Sequence, residues 1–224
     1  MKKYFSDLRE IYKKFSTWFF TAAIVLSAGV GFTLVTLVGG NSKLAETFNF
    51  ILIALAMLLP VLANENRLAG RFSIPDILSR FFAIVTAGVV SLFPTALFAI
   101  VIGEYGVFRW GPYLCSLVSA LCLCAVYTAV FMFITLHVKR KSRSYIVSYI
   151  VVAVVMICEA LCSFISDPVI TGILGMFTLT KYFGVYALGI IDVRTVLLAV
   201  LFPTLLVLTG CLKDEDKFNG SVVK

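Results

Sequence analysis

NENRLAGRFSIPDILSR, residues 64–80, is the longest clearly polar interval between two hydrophobic runs of the chain, and the fold turns on how it is read. If the runs on either side cross a bilayer, the interval is a cytosolic loop able to hold a short helix. Composition supports that condition. Of 224 residues 61% are hydrophobic and 14% charged, whereas ordinary soluble domains carry about 25% charged residues. The charges also cluster between uncharged runs of the length, about 17 to 25 residues, that a hydrocarbon core about 30 Å thick demands. A soluble globular class is excluded on these grounds, and residues 1–224 leave room for one membrane domain only. The net charge of +7 does not point to nucleic acid, because the Lys and Arg residues sit beside apolar runs and form no stripe on a polar surface.

Working back from the loop, the run at 48–63 is short: its 16 residues reach about 24 Å at 1.5 Å per residue. The helix must either begin earlier, near Leu44, or sit upright where the bilayer thins. Pro60 near its inner end is expected to free a backbone carbonyl and bend the helix. A short outer turn at 39–47 carries Lys43, and an earlier span covers about 17–38. That first run is too long for the apolar region of a cleavable signal peptide, about 7 to 15 residues. Residues 1–16 precede it, and at 100° per residue Phe5, Leu8, Ile11, Tyr12 and Phe15 share one sector, with Lys2, Lys3, Arg9, Glu10, Lys13 and Lys14 opposite. The expectation is an interfacial helix on an anionic leaflet, the apolar side chains Phe5, Leu8, Tyr12 and Phe15 facing the lipid; a basic flank that merely sets orientation is the alternative.

Working forward, a span is expected at 81–103 with a kink at Pro94, then an outer turn at 104–112 rich in Gly, Pro and interfacial aromatics. A span at 113–138 follows, then the basic cluster Lys139, Arg140, Lys141 and Arg143, and a span at 145–165. Residues 166–194 are apolar, yet Lys181 would sit at mid-bilayer at a cost of about 2.5 to 3.5 kcal/mol, and Gly172, Gly175, Gly184 and Gly189 interrupt the run. Short re-entrant helices are expected there, before a last span at 195–211 that contains Pro203. The resulting all-α fold has six transmembrane helices. It places 15 of the 19 Lys and Arg residues on the inner side, as the positive-inside rule requires when both chain ends are cytosolic.

Little in the sequence carries chemistry. No phosphate-binding glycine loop occurs, so any ATP must be hydrolysed by another chain. The six cysteines lie in or at the ends of apolar runs and read as small buried hydrophobes. One histidine, His137, stands beside the basic cluster, and no catalytic triad, carboxylate pair or metal set can be assembled. The chain therefore reads as no enzyme and as having no cofactor or metal of its own. Glu159 is the one ionisable residue well within a span. It is either a group on a substrate path or gate, or a protonated glutamate bonded to a neighbouring helix. Gly29 and Gly31, Ala83 and Ala87, and Ala120 and Ala125 are small enough to permit close helix contacts.

This plan resembles the membrane permease of type-2 ATP-binding-cassette exporters, particularly the gliding-motility-like branch. The loop residues Asn64, Glu65, Arg67 and Gly70 are similar to that family's acidic-basic-glycine cluster, although the run after Gly70 is shortened to RFSIPDILSR. Phe177, Lys181, Tyr182, Gly189 and Asp192 resemble the series that leads into the family's last helix. The resemblance implies a permease paired with a second permease chain, the same or different, and with cytosolic ATPase subunits that bind ATP and Mg. Glu65, Arg67, Gly70 and Arg71 would form the coupling helix, and the cargo would be an amphipathic or hydrophobic peptide, lipid or drug. The alternative is a non-transporting scaffold that recruits a complex in the plasma membrane.

Overall fold

The computed structural model describes residues 2–34, 44–67, 73–98, 100, 110–138, 140–165, 167, 169–170, 178 and 193–222. Among them the chain is all helical, without strands. Seven helices succeed one another: α1 (Lys2–Lys13), α2 (Phe15–Phe32), α3 (Leu44–Glu65), α4 (Ile74–Val90), α5 (Trp110–His137), α6 (Lys141–Phe164) and α7 (Val193–Val222), with a 3-10 turn at Phe93–Thr95. Among the described residues five segments are long and apolar enough to cross a membrane: Phe15–Phe32, Phe48–Glu65, Ile74–Phe98, Tyr113–His137 and Lys141–Cys162. This is consistent with a helical membrane protein. The apolar part of α7, Val193–Thr209, is shorter. Most of the expected re-entrant segment at 166–194 lies outside the described residues, as do most of the two outer turns.

The bundle is built around α5, which packs against α3, α4 and α7 and buries Leu123, Cys124, Val126, Tyr127, Ala129 and Phe131 almost completely. α2 packs against α3. Their approach is close because Gly31 has no side chain: a Cβ there would stand 3.0 Å from the Cβ of Phe50. Ala83, Ala87 and Ala120 are fully buried on α4 and α5. α6 is peripheral. It turns Ser144, Ser148 and Val152 inward and exposes Ile146, Ile150, Val154, Ile157 and Leu161. Polar residues inward and an apolar stripe outward reverse the pattern of a helix on a water-soluble protein, and suit one bathed in lipid.

Three boundaries differ from, or decide between, the expectations. α3 begins at Leu44 and has 22 residues, about 33 Å of helix, so of the two expectations it is the earlier start that holds. Pro60 lies inside α3 without ending it. α4 begins at Ile74, not at the onset of the apolar run at Phe81, so residues 64–65 and 74–80 of the polar interval belong to helices. The start is encoded locally: Ser73 is extended (φ −94°, ψ 152°), Pro75 occupies the first turn and Asp76 stands at the positive helix end, all favoured there. At the other end α4 stops at Val90. Pro94 has no N–H to give the Val90 carbonyl and its ring crowds that carbonyl, so the chain passes through a 3-10 turn before one more helical turn.

Candidate functional site

The polar residues of α1, of the ends of α3 and α5, and of the starts of α4 and α6 meet at one end of the bundle. There they form a continuous belt of ion pairs and hydrogen bonds. α1 supplies the first half. Ile11 is fully buried, Tyr4 and Leu8 pack partly against the core, and the Tyr4 hydroxyl meets Thr86 Oγ1 at 2.9 Å. Flanking this apolar seam, Lys3 pairs with Asp76 and Ser79 donates to Asp7. Arg80, almost wholly buried, points both NH1 and NH2 at Glu10 Oε2, 3.2 and 3.3 Å away, with Asp7 Oδ1 at 3.8 Å. Burial acts to raise the Glu10 carboxyl, but the hydrogen bonds and charge of Arg80, and then of Lys14, outweigh it and hold it below the usual carboxylate range.

Lys14 joins α1 to the rest. It is the extended residue between α1 and α2 (φ −83°, ψ 136°). The elbow around it is fastened by Thr17, whose hydroxyl donates to Ile11 O at 2.6 Å, and by Trp18, whose Nε1 donates to Tyr12 O at 3.1 Å. From this fixed point the Lys14 ammonium donates to Glu65 O and Asn66 Oδ1, both at 2.9 Å, and stands 3.5 Å from Glu10 Oε1.

The second half of the belt fastens α3 to the α5–α6 turn. Glu65 Oε1 receives Lys141 Nζ at 2.9 Å and the Tyr145 hydroxyl at 2.8 Å. Arg67 NH2 donates to Val138 O at 2.6 Å, capping one of the carbonyls that a helix end leaves without an internal partner. Asn64, buried, donates to Pro60 O at 2.8 Å and Ser148 Oγ at 3.3 Å. Lys141 opens α6, where the helix dipole disfavours a cation; the Glu65 carboxylate offsets that cost.

The residues singled out from sequence distribute unevenly over this site. Glu65 and Arg67 belong to the belt, but their charged groups turn back onto α5 and α6. Gly70 and Arg71 lie outside the described residues. Phe5 and Phe15 are 62% and 83% exposed, whereas Leu8 and Tyr12 pack partly against the core, so the apolar sector of α1 is divided between the bundle and the outside. Glu159 is half-buried on α6, about 27 Å along the helix from Lys141, and takes no part in the belt. His137 is exposed, its Nδ1 2.9 Å from Phe133 O. Among the described residues no three metal-ligating side chains gather, and Cys115, Cys122, Cys124, Cys158 and Cys162 are free thiols. Sequence reasoning missed Asp7, Arg80 and Tyr145, and set Glu10 and Lys14 toward the headgroups. The one available signal was a pair of acids, Asp7 and Glu10, at i, i+3 on an otherwise basic helix.

No family model matches the chain, and no curated protein or solved structure matches it.

Proposed function

We propose that the chain is the permease subunit of an ATP-driven exporter in the plasma membrane, moved by a separate cytosolic ATPase. The observation that carries this reading is the belt. The amino-terminal helix, the 64–80 interval and the basic turn, assigned to one side by their charge alone, are joined at one end of the bundle by Arg80, Lys14, Glu65 and Arg67. A motor that grips a membrane protein needs a rigid unit on its own side through which a push reaches several helices. In this reading α7 is the sixth span, 166–194 re-enters the outer leaflet, and both chain ends are cytosolic.

This reading assigns a role to each part of the belt end. The motor contacts the loop itself, Gly70 and Arg71 included, and the exposed start of α4 at Ser73 and Ile74. Glu65 and Arg67 act as transmitters: a load on the loop passes through Arg67 to the end of α5 and through Glu65 to α6. A second permease chain, the same or different, completes the path, and the partner ATPase supplies ATP and Mg. The cargo is amphipathic or hydrophobic, and Glu159, at the far end of α6, lines the path or its gate.

The test is purification at native expression followed by reconstitution. The reading expects an ATPase chain to copurify and its turnover to respond to cargo, with that response lost in Glu65→Ala plus Arg67→Ala while both chains still assemble. Recovery of the chain in a stable complex with no ATPase would favour the scaffold reading instead. That reading draws on one observation, that Glu65 and Arg67 already have partners within the chain.

A further inference from the structure

Between the α1–α2 elbow and the end of α3 lies an open cleft of about 570 Å³ lined by Lys14, Phe15, Ser16, Phe19, Val61 and Glu65, within the span of about 300 to 1,000 Å³ common for small-molecule sites. Helical spacing arranges it in two levels. Ser16 and Glu65 flank one level beside Lys14; one turn further along α2 and α3, Phe19 and Val61 flank the other. The polar level has unused bonding capacity. The Ser16 hydroxyl is buried with no hydrogen-bond partner, a state that a ligand oxygen would relieve. Both partners of Glu65 meet Oε1, which leaves Oε2 uncommitted among the described residues. Of the three contacts of the Lys14 ammonium, the one to Glu10 is the longest, at 3.5 Å, and Glu10 keeps Arg80 through its other oxygen. That proton is the one a stronger acceptor can take.

We infer that the cleft binds a zwitterionic amine phospholipid of the surrounding leaflet. Its phosphate accepts from Ser16 Oγ and Lys14 Nζ, its ammonium donates to Glu65 Oε2, and the start of an acyl chain runs past Phe19 and Val61. A cation, an unpartnered hydroxyl and a carboxylate oxygen side by side match such a headgroup and no purely anionic one, because a phosphate without the amine would face Glu65 with nothing to give it. The bound lipid would clip the elbow to α3 and tie the belt to the leaflet. The inference rests on the reading that α2 and α3 cross the bilayer with the belt at headgroup level, and not on any ATPase.

The experiment titrates delipidated, detergent-solubilised protein with phosphatidylethanolamine or phosphatidylglycerol and reads retained lipid by native mass spectrometry. The chain's net charge of +7 by itself favours the anionic lipid, so specific recognition is expected to appear as an inversion, with on the order of tenfold greater retention of phosphatidylethanolamine. Ser16→Ala, checked for an unchanged elution profile and helicity, is expected to lower that retention about fivefold, while Leu26→Ala, at an exposed position of α2 away from the cleft, leaves it unchanged. Glycerophosphoethanolamine, the same head without chains, is expected to compete only weakly. Equal retention of the two lipids, preference for phosphatidylglycerol, an equal loss in Leu26→Ala, or full competition by the chainless head would each overturn the inference. Alkaline extraction of native membranes separates the premises. Release of the chain would refute the bilayer reading, whereas a retained chain without the lipid preference would refute only the cleft.

Discussion

At the scale of single residues, Arg80 is the group on which the amino-terminal helix depends. Its guanidinium is largely withdrawn from water and its two NH2 groups face carboxylates of α1, so removing it takes the shared cation from Asp7 and Glu10 and leaves them Ser79 and Lys14. Arg80→Gln is expected to weaken α1 docking by about 1 to 2 kcal/mol, less than the 3 to 5 of a fully buried pair because Glu10 is half exposed and screened; faster amide exchange over residues 4–12 would show it. The pH dependence has a definite sign. Glu10 has a lowered carboxyl pKa in the folded state, so its contribution is complete above the pKa of an unfolded glutamate and is lost as pH falls through the lower folded value. Protection of α1 amides should therefore decline on acidification, and Glu10→Gln should flatten that decline; protection rising in acid would contradict the assignment. Beyond the two acids on a basic helix, little of this was legible in the sequence. A helical wheel sorts residues by polarity, and a glutamate facing headgroups looks the same as one facing a buried arginine. Glu65 and Arg67 were legible as polar loop residues, but their partners, Lys141, Tyr145 and Val138, lie more than seventy positions away.

At the scale of elements, hydropathy located the long helices and local chemistry set their ends. The apolar run begins at Phe81, yet α4 starts at Ile74 because Ser73, Pro75 and Asp76 form a helix start ahead of it. A window that averages hydropathy is blind to such a signal. Pro94 was legible, and it ends α4 four residues upstream. Pro94→Ala is expected to carry the helix through residues 91–95, seen as slower amide exchange there; unchanged exchange would mean that packing, not the proline, holds the break. Pro60 and Pro203 lie inside helices, so the residue type alone does not foretell a break. Gly31 makes a second prediction. Because a Cβ would meet Phe50 at 3.0 Å, Gly31→Ala should cost about 1 to 3 kcal/mol through overpacking, read as a lower unfolding temperature in detergent. Phe50→Ala in the same chain should recover part of it.

At the scale of the whole molecule, a reading of charge and a set of contacts bear on the same segments. Charge counting assigns the amino-terminal helix, the 64–80 interval and the basic turn to one side of a membrane, and the described residues of those segments meet at one end of the bundle. Counting reads only where cations fall along the chain; the belt depends on which helices neighbour one another, which the sequence does not state. The outward apolar faces of α2 and α6, with Leu26, Ile150, Ile157 and Phe164 exposed, suit contact with lipid. The central claim is that the belt end is the cytosolic end of a membrane-embedded bundle. A single cysteine at Ser73, exposed at the start of α4, in a chain otherwise cleared of thiols tests it directly with a membrane-impermeant maleimide. The account predicts no labelling in intact cells and full labelling once the membrane is opened; labelling from outside intact cells would contradict it.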